Sequence, residues 1–386
     1  MRRVAFLMLV GDTAKYVGIL FGLFLASFLI TQQSGIFVGL MSRTYGAISD
    51  LGLPDIWVMD PKVQFIDDVK PLQDTELYRV RGVAGVQWAV PLYKGMLKAR
   101  LDNGNFQTCV VLGLDDSTLI GGPPEMIAGR LADLHRADGV IIDEIGANDK
   151  LARPAREPGG KPIPLGIGDS LELNDHRAVV VGICRVSRTF QSNPVIYTTY
   201  NRATAFAPVE RKLLSFVLVE AAPGQDPEAL CARIAADTGL LALTGDGFKR
   251  MTYEYFMKYT GIPINFGIAV ILAFLVGSAI AGLMFYNFTL DNLRHFGALK
   301  AMGAGNGLLL RMILLQSAIV GVIGWGLGVG AAAGFGRLTS GSELAFKMPW
   351  QLLALSGGAV VVICAVAALL SIWKVIRLEP AIVFKS

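Results

Sequence analysis

Long apolar stretches set the pattern of this chain. Four of them cover residues 16–40, 264–288, 308–335 and 352–373, and almost no charge interrupts them. About 20 consecutive apolar residues are enough for a helix to cross the hydrocarbon core of a bilayer. The pattern therefore predicts four transmembrane helices, with a long segment of mixed polarity between the first and the second.

Basic residues lie near the ends of these stretches in an uneven way. They precede the first span, lie between the second and third, and follow the fourth: Arg2, Arg3, Lys15, Arg294, Lys300, Arg311, Lys374, Arg377 and Lys385. Lys and Arg are enriched on the cytoplasmic side. We therefore expect both termini to be cytoplasmic and the long segment to lie outside the cytoplasm. The first span is expected to be an uncleaved anchor, because LASFLITQQSG lacks a small-x-small cleavage site.

The long segment has a repeated order of elements at its two ends. Near its start, a strand at 54–59 precedes a helix capped by Asp74 or Thr75 and then two strands. Near its end, a strand at 215–220 precedes a helix that Asp226 caps, with Pro227 in the first position, and a final strand. This order predicts a split βαβ module. Residues 115–214, which contain the strand-like runs GVIIDE, DSLELN and RAVVVGIC, would be a β-rich insertion.

Composition agrees with a membrane protein. The chain is 53% hydrophobic and only 17% charged, against about 25% charged in soluble domains. These values disfavour a purely cytosolic enzyme and exclude a disordered protein. The net charge of +4 is small, so nucleic acid is not an expected partner.

Motifs for catalysis, metals or nucleotides are missing from the sequence. It contains no P-loop, H-E-x-x-H, C-x-x-C or G-x-S-x-G. The adjacent carboxylates of Asp143 and Glu144 are interpreted as a solvated strand end. Cys109, Cys184 and Cys231 would face an oxidising compartment, where either one disulfide or buried free thiols are possible. We therefore expect no catalytic residue, no metal site and no bound cofactor.

Small residues recur every four positions in two of the spans. Gly18 and Gly22 lie in the first, and Gly326, Gly330 and Gly334 lie in the third. Small residues let helix backbones approach closely in lipid. These faces are predicted to touch another helix, either within the chain or in a second subunit.

A short amphipathic segment follows the second span. Leu290, Leu293, Phe296 and Lys300 follow one another every three or four residues, and 302–305 (MGAG) end the segment. Such a helix could bind in the groove of a partner protein or lie on lipid headgroups. Periodicity alone leaves both alternatives open.

Here the sequence resembles a known family. FGALKAMGAGNGLLLRMILLQ, at 296–316, is similar to the element after the second span in FtsX/MacB-type permeases of ABC transporters. The order of one span, a large external domain, three spans and a tail with Glu379 before Pro380 is also similar. Tyr286 and residues 291–302 most resemble the DevC branch of exporters. Departures are His295 and Phe296, where many members have Glu and Ile, and Gln316, where Glu is common.

The resemblance implies a fold class and an organisation. The fold is an α-helical membrane protein with four transmembrane helices and a large α+β extracytoplasmic domain, a porter-like split βαβ module with a β-rich insertion. Residues 1–40 would hold the first span, 41–263 the MacB-like domain, and 264–386 the FtsX-like part with the other spans and a cytoplasmic tail.

The resemblance also implies a function and partners. The chain would be the non-enzymatic permease subunit of an exporter in the bacterial inner membrane, forming a homodimer and working with an ABC ATPase, a periplasmic adaptor and an outer-membrane duct. ATP would be bound by the ATPase, and membrane lipid would surround the spans. The expected ATPase-docking residues are Leu290, Leu293, Arg294, Phe296, Leu299, Lys300 and Met302.

Two other functions of the same family remain open. An FtsX-like protein would regulate a cell-wall hydrolase, and a LolC/LolE-like protein would release lipoproteins. A membrane-anchored sensor without an ATPase is disfavoured by the ordered GALKAMG element at 297–303.

Overall fold

The computed structural model describes residues 8–52, 54–155, 160–208, 214–339 and 342–376. For residues 373–376 it describes the backbone only. The chain divides into two compact units, Met1–Leu40 with Gly261–Ser386, and Met41–Thr260. We call the first the helical unit and the second the sheet domain. Arg2, Arg3, Arg377, Glu379, Pro380 and Lys385, which the sequence analysis used, lie outside the described residues.

Long helices make up most of the helical unit. With all helices numbered along the chain, the long ones here are α1 (Thr13–Thr44), α8 (Ile262–Asp291), α10 (Asn306–Leu338) and α11 (Trp350–Ile376). The short helix α9 (Leu293–Ala301) lies between α8 and α10 in the sequence, and the helices numbered between α1 and α8 belong to the sheet domain. Within the described part of the chain, α1, α8, α10 and α11 are long and apolar enough to cross a membrane. This agrees with the four spans predicted from the sequence.

Glycines allow the long helices of this unit to approach closely. A Cβ atom added at Gly22 of α1 would lie 2.9 Å from Cγ2 of Ile280 in α8, and one at Gly18 would lie 3.2 Å from Sδ of Met284. On α10, a Cβ at Gly328 would lie 2.6 Å from Cβ of Ser27. A Cβ atom at Gly22 or Gly328 would need these helices to shift, and at Gly18 the Met284 side chain would have to give way, so the glycines let the helices approach closely.

The glycines predicted to pack on α10 occupy its open side instead. A Cβ added at Gly326, Gly330 or Gly334 would meet no described atom within 4 Å. Gly324 and Gly328 make the contacts with α1. Of the two alternatives left open by the sequence, the other three glycines do not pack within this chain, because α10 is rotated so that its second row of small residues faces α1. Their packing against a second subunit stays a prediction.

The first and last parts of the sheet domain build one antiparallel sheet. Its strands are β1 (Ile56–Met59), β2 (Val86–Arg100), β9 (Phe216–Ala221) and β10 (Leu241–Thr244). They pair in the order β10-β1-β9-β2. Helix α3 (Asp74–Arg81) joins β1 to β2, and α6 (Pro227–Thr238) joins β9 to β10. This connectivity is the split βαβ module expected from the sequence.

The inserted strands continue the sheet beyond β2. They are β4 (Glu125–Ala128), β5 (Gly139–Asp143), β6 (Ser170–Leu173), β7 (His176–Arg185) and β8 (Val195–Thr199), and β3 (Phe106–Leu114), which precedes the insertion, joins them to β2. The order is β2-β3-β8-β5-β7-β4, and β6 pairs with β2 and β7. Strand β2 has 15 residues and belongs to both parts. The sheet domain also contains α2 (Gly46–Asp50), α4 (Glu144–Asn148), α5 (Tyr200–Phe206) and α7 (Gly245–Tyr259).

Side chains on both faces of the βαβ sheet are buried. On one face, Val58 and Val219 pack with Leu230 and Ile234 of α6. On the other, the Trp57 ring lies 5.5 Å from the ring of Phe248 in α7. Burying such side chains contributes roughly 1.5–3 kcal/mol each. The two faces therefore fix α6 and α7 on opposite sides of the sheet.

Capping in this domain differs in part from the sequence interpretation. Asp226 accepts hydrogen bonds from the backbone of Glu228 and Ala229, and Pro227 begins α6, as predicted. Asp74 is instead the first residue of α3, and Gln73 precedes it without a side-chain cap.

Asp143 is buried, which corrects its interpretation as a solvated strand end. Only 8% of its surface is exposed, and its carboxylate accepts hydrogen bonds from the backbone N–H groups of Gly146 (2.9 Å) and Val195 (2.7 Å). Burial raises the pKa of Asp143 above its ordinary value, and the two hydrogen bonds oppose this. The residue therefore joins the end of β5 to the start of β8.

The cysteines are free thiols, which resolves the choice left open by the sequence. Cys109 and Cys184 are buried, and burial raises the pKa of each to about 12. A thiol that ionises so weakly is a poor nucleophile. These cysteines therefore act as small apolar core residues.

Candidate functional site

The segment between α8 and α10 is the candidate site. Helix α8 ends at Asp291, the chain turns at Asn292, and α9 follows directly. The Asn292 side chain donates a hydrogen bond of 2.9 Å to the carbonyl of Phe288, and its own carbonyl accepts one of 3.1 Å from Phe296. The chain therefore bends between two helices without leaving the backbone unpaired.

The end of α9 is equally well defined. Gly303 has a φ of +91°, which favours glycine, and its N–H donates to the carbonyl of Lys300. The N–H of Ala304 donates to the carbonyl of Leu299. This pair of hydrogen bonds is a Schellman motif. It ends the helix where the run 302–305 predicted, and Asn306 begins α10.

One face of α9 is anchored in the core of the helical unit. The Phe296 side chain is fully buried among Phe285, Phe288 and Met312, and Leu293 and Leu299 pack against the same cluster. Phe296 was predicted to dock a partner, and the structure corrects this. The apolar period of the segment is real, but its largest side chain faces the chain's own core.

The opposite face of α9 is exposed. Arg294, His295 and Ala298 are exposed, and 75% of Met302 is accessible. Leu290, at the end of α8, and Lys300 are half-buried. The exposed surface is thus the apolar side chain of Met302 bordered by basic side chains. The other face of the same helix packs against the core of the helical unit.

An ion pair joins the start of α1 to the end of α8 at this site. The ammonium group of Lys15 in α1 contacts the carboxylates of Asp12, at 2.7 Å, and Asp291. Lys15 and Asp291 lie 276 positions apart in the sequence. Their pairing depends on the packing of α1 against α8, which spacing along the chain does not reveal.

The exposed face of α9 combines apolar and basic character. The exposed face carries no nucleophile or carboxylate pair, and across the described ranges no group of three His, Cys, Asp or Glu side chains could hold a metal ion. His135 lies elsewhere, with its ring nitrogens 3.0 Å and 2.8 Å from the carbonyl oxygens of Ala132 and Asp116.

Comparison with known families covers both units. The MacB-like periplasmic core domain matches residues 17–237, which is 221 of the 386 residues and so more than half of the chain. The FtsX-like permease C-terminal domain matches residues 267–380, which include α9.

Solved structures of external domains are also similar to this chain. The periplasmic region of MacB from Actinobacillus actinomycetemcomitans is 14% identical, with a TM-score of 0.37, and the match covers 55% of this chain and 97% of that one. The extracellular domain of the noncanonic ABC-type transporter YknZ from Gram-positive bacteria is 12% identical, with a TM-score of 0.34, covering 50% and 98%. A domain of a putative permease from Porphyromonas gingivalis is 13% identical, with a TM-score of 0.27, covering 49% and 85%.

The family matches carry the assignment by themselves. They account for the external domain and for the three spans after it, in the order seen here. The further resemblance to the DevC branch stays a prediction. The chain belongs to the MacB- and FtsX-type family of ABC transporter permeases.

Proposed function

We propose that this chain is the permease subunit of an ABC exporter in the bacterial inner membrane, driven by a separate cytoplasmic ATPase. Permeases of this family work with an ATPase. ATP would be bound and hydrolysed by that partner, and the permease would convert the partner's movement into movement of its periplasmic domain. A periplasmic adaptor and an outer-membrane duct would then carry the substrate outward.

The observation that carries the proposal is the two-sided character of α9. Phe296 fixes the helix to the core of the helical unit, while Met302 and Arg294 are exposed on its outer side. A helix fixed by a fully buried aromatic residue moves with its surroundings rather than bending away. An ATPase that binds the exposed side would therefore push the whole helical unit.

Two spans connect the helical unit to the sheet domain along the chain. Helix α1 continues to Thr44, past the start of the domain at Met41, and α8 begins at Ile262, directly after the domain ends at Thr260. The ion pair between Lys15 and Asp291 joins these two spans at the end where α9 lies. In this proposal, α1 and α8 act as paired levers.

Met302→Asp tests the docking side without disturbing the core. Because 75% of Met302 is accessible, we expect the variant to fold normally and to recover at least fivefold less ATPase on co-purification of the complex. Phe296→Asp would not test docking, since it places a charge in the core.

Leu338→Asp is the matched control for this experiment. Leu338 is also apolar and 89% exposed, but it lies at the opposite end of the 33-residue helix α10, about 50 Å away along the axis. Equal ATPase recovery by the Met302 and Leu338 variants would contradict docking on α9.

A second copy of the chain is part of the proposal, and we place it on α8. Ile264, Ile268, Ile271 and Leu275 are all more than half exposed. Their spacing of four, three and four residues is that of a coiled-coil seam, in which side chains of two helices interdigitate. Pairing there would join two levers directly.

Cysteine cross-linking in membranes tests this interface. Leu275→Cys is expected to give a disulfide-linked dimer, and Gly330→Cys, on the open side of α10, is expected to stay monomeric. The reverse result would move the second copy to the glycine face that the sequence analysis singled out.

The external partner separates export from its alternatives. An adaptor that co-purifies with the sheet domain supports export. A cell-wall hydrolase would instead support an FtsX-like regulator, and a lipoprotein would support LolC/LolE-like release.

A further inference from the structure

A groove of about 520 Å³ runs between α10 and α11, away from α9. Small side chains open it, because Ala318 and Gly321 of α10 lie across from Gly357 and Ala365 of α11. Such a volume is typical of sites for small ligands. Both helices are candidate membrane spans, so the groove would face the hydrocarbon region.

Polar groups around the groove already have partners. The indole N–H of Trp325 donates to Oγ of Ser356 at 3.1 Å. The Ser317 hydroxyl donates to the carbonyl of Leu314 at 3.1 Å, and the Cys364 thiol donates to the carbonyl of Ser317 at 3.4 Å. The remaining lining is aliphatic or aromatic. A ligand with polar groups would find no partner for them here, whereas an aliphatic chain needs none.

The dimensions fit one acyl chain. From Leu314 to Trp325 the groove follows α10 for 12 residues, and the 11 steps between them span about 16 Å at 1.5 Å each. That length is about half of the 30 Å hydrocarbon core, which is one leaflet. A whole helix of about 10 Å diameter would fill about 1,200 Å³ over the same length. A helix is therefore too wide, while a lipid tail is not.

A cation lies on α10 one turn before the first lining residue of this groove. Arg311 precedes Leu314 by one turn and Ala318 by two, so it shares their face of α10. It is exposed, and no carboxylate of the described residues pairs with it. Long helical side chains lean toward the helix N-terminus, and arginine extends to the headgroup level. The guanidinium group would thus meet a lipid phosphate just beyond the apolar lining.

We propose that α10 and α11 form a binding site for an anionic phospholipid. One acyl chain fills the groove up to Trp325, and the phosphate pairs with Arg311. The site depends on the membrane position of these spans and not on the proposed ATPase docking. Bound lipid would fill the open groove beside the line along which α10 and α11 touch, where Gly321 contacts Cys364.

Photocross-linking tests the site in the full-length chain. The protein is reconstituted in phosphatidylcholine nanodiscs that contain phosphatidylglycerol with a diazirine in its tail. After illumination, adducts are expected on peptides containing 314–325 and 357–365. Adducts spread evenly over all lipid-facing helices, or cross-links between copies through Ala318, would overturn the proposal.

Neighbouring glycines provide a matched pair of variants. A Cβ at Gly357 would lie 3.5 Å from the Trp325 ring, whereas one at Gly358 meets nothing within 4 Å. Gly357→Leu should lower groove adducts at least fivefold, and Gly358→Leu less than twofold. Ala318→Phe fills the groove from the facing helix and should reproduce the Gly357→Leu result. Equal adducts in all three variants would contradict the proposal.

The headgroup is tested separately. Arg311→Gln should lower phosphatidylglycerol adducts at least threefold, to the level obtained with the same diazirine in phosphatidylcholine. Arg337→Gln, in the last turn of the same helix, should leave the preference for phosphatidylglycerol intact. An unchanged preference in Arg311→Gln would overturn the assignment of the phosphate.

Discussion

The helical unit and the sheet domain are stabilised in opposite ways. In the helical unit, residues without side chains, such as Gly328, allow backbones to touch. In the sheet domain, charged side chains hold backbone ends: the buried Asp143 accepts from two N–H groups, and the half-buried Arg202 donates to the carbonyls of Leu134 and Gly139 at 2.9 Å and 2.8 Å. Long helices pair their own backbone groups, whereas short strands and loops leave groups that side chains must satisfy.

The largest effect should come from filling a helix contact. Gly328→Leu would force carbon atoms against Ser27 and the Phe24 carbonyl. We expect it to destabilise the helical unit by about 3 kcal/mol, the upper end for overpacking. The measurement is the thermal midpoint of the purified protein in detergent. Gly330→Leu, two residues further along α10 and on its open side, should leave the midpoint unchanged. Equal decreases in midpoint for the two variants would contradict the contact between Gly328 and Ser27.

A smaller effect should follow from removing a buried cap in the sheet domain. Asp143→Ala leaves the N–H groups of Gly146 and Val195 without their partner, at a cost of roughly 1–3 kcal/mol. Denaturant unfolding followed by labelling of the buried Cys109 thiol measures this loss. Asp237→Ala, at an exposed position, is the control. A loss of stability in this control as large as that in Asp143→Ala would argue against the capping role of Asp143.

Hydropathy was sufficient to predict where the spans lie in the sequence. It did not predict which face of each span packs against its neighbours. Both rows of glycines on α10 have a spacing of four residues, and only the contacts of Gly324 with Leu23 and of Gly328 with Ser27 decide which row packs inward. Those partners lie about 300 positions earlier in the chain. A periodic pattern shows that a helix has two faces, and tertiary contacts decide where each face points.

The same limit explains the candidate site. Apolar spacing predicted a helix with one apolar face, and α9 has one. Whether Phe296 faces a partner or the chain's own core depends on Phe285 and Phe288, which line the space it fills. Sequence reasoning therefore found the element and its end at Gly303, and assigned its largest side chain to the wrong side.

In the sheet domain, the elements that sequence reasoning missed lack a clear period. All five residues of β8 (Val195–Thr199) are buried, so the strand has no polar alternation. Helix α7 begins with Gly245 and Gly247, which are poor helix formers. Asp226 and Pro227 were found at α6 because their capping is local.

Accessibility on the two sides of the membrane tests the central claim most directly. His295 of α9 and Lys161 of the sheet domain are both exposed, and each is replaced by cysteine in a chain whose half-buried Cys231 is changed to serine. Whole cells with a permeabilised outer membrane are then treated with a membrane-impermeant maleimide. The account predicts labelling of Lys161→Cys only, with His295→Cys labelled after the inner membrane is opened. Labelling of both in intact spheroplasts would place α9 and the sheet domain in one compartment and contradict the transfer of movement across the membrane.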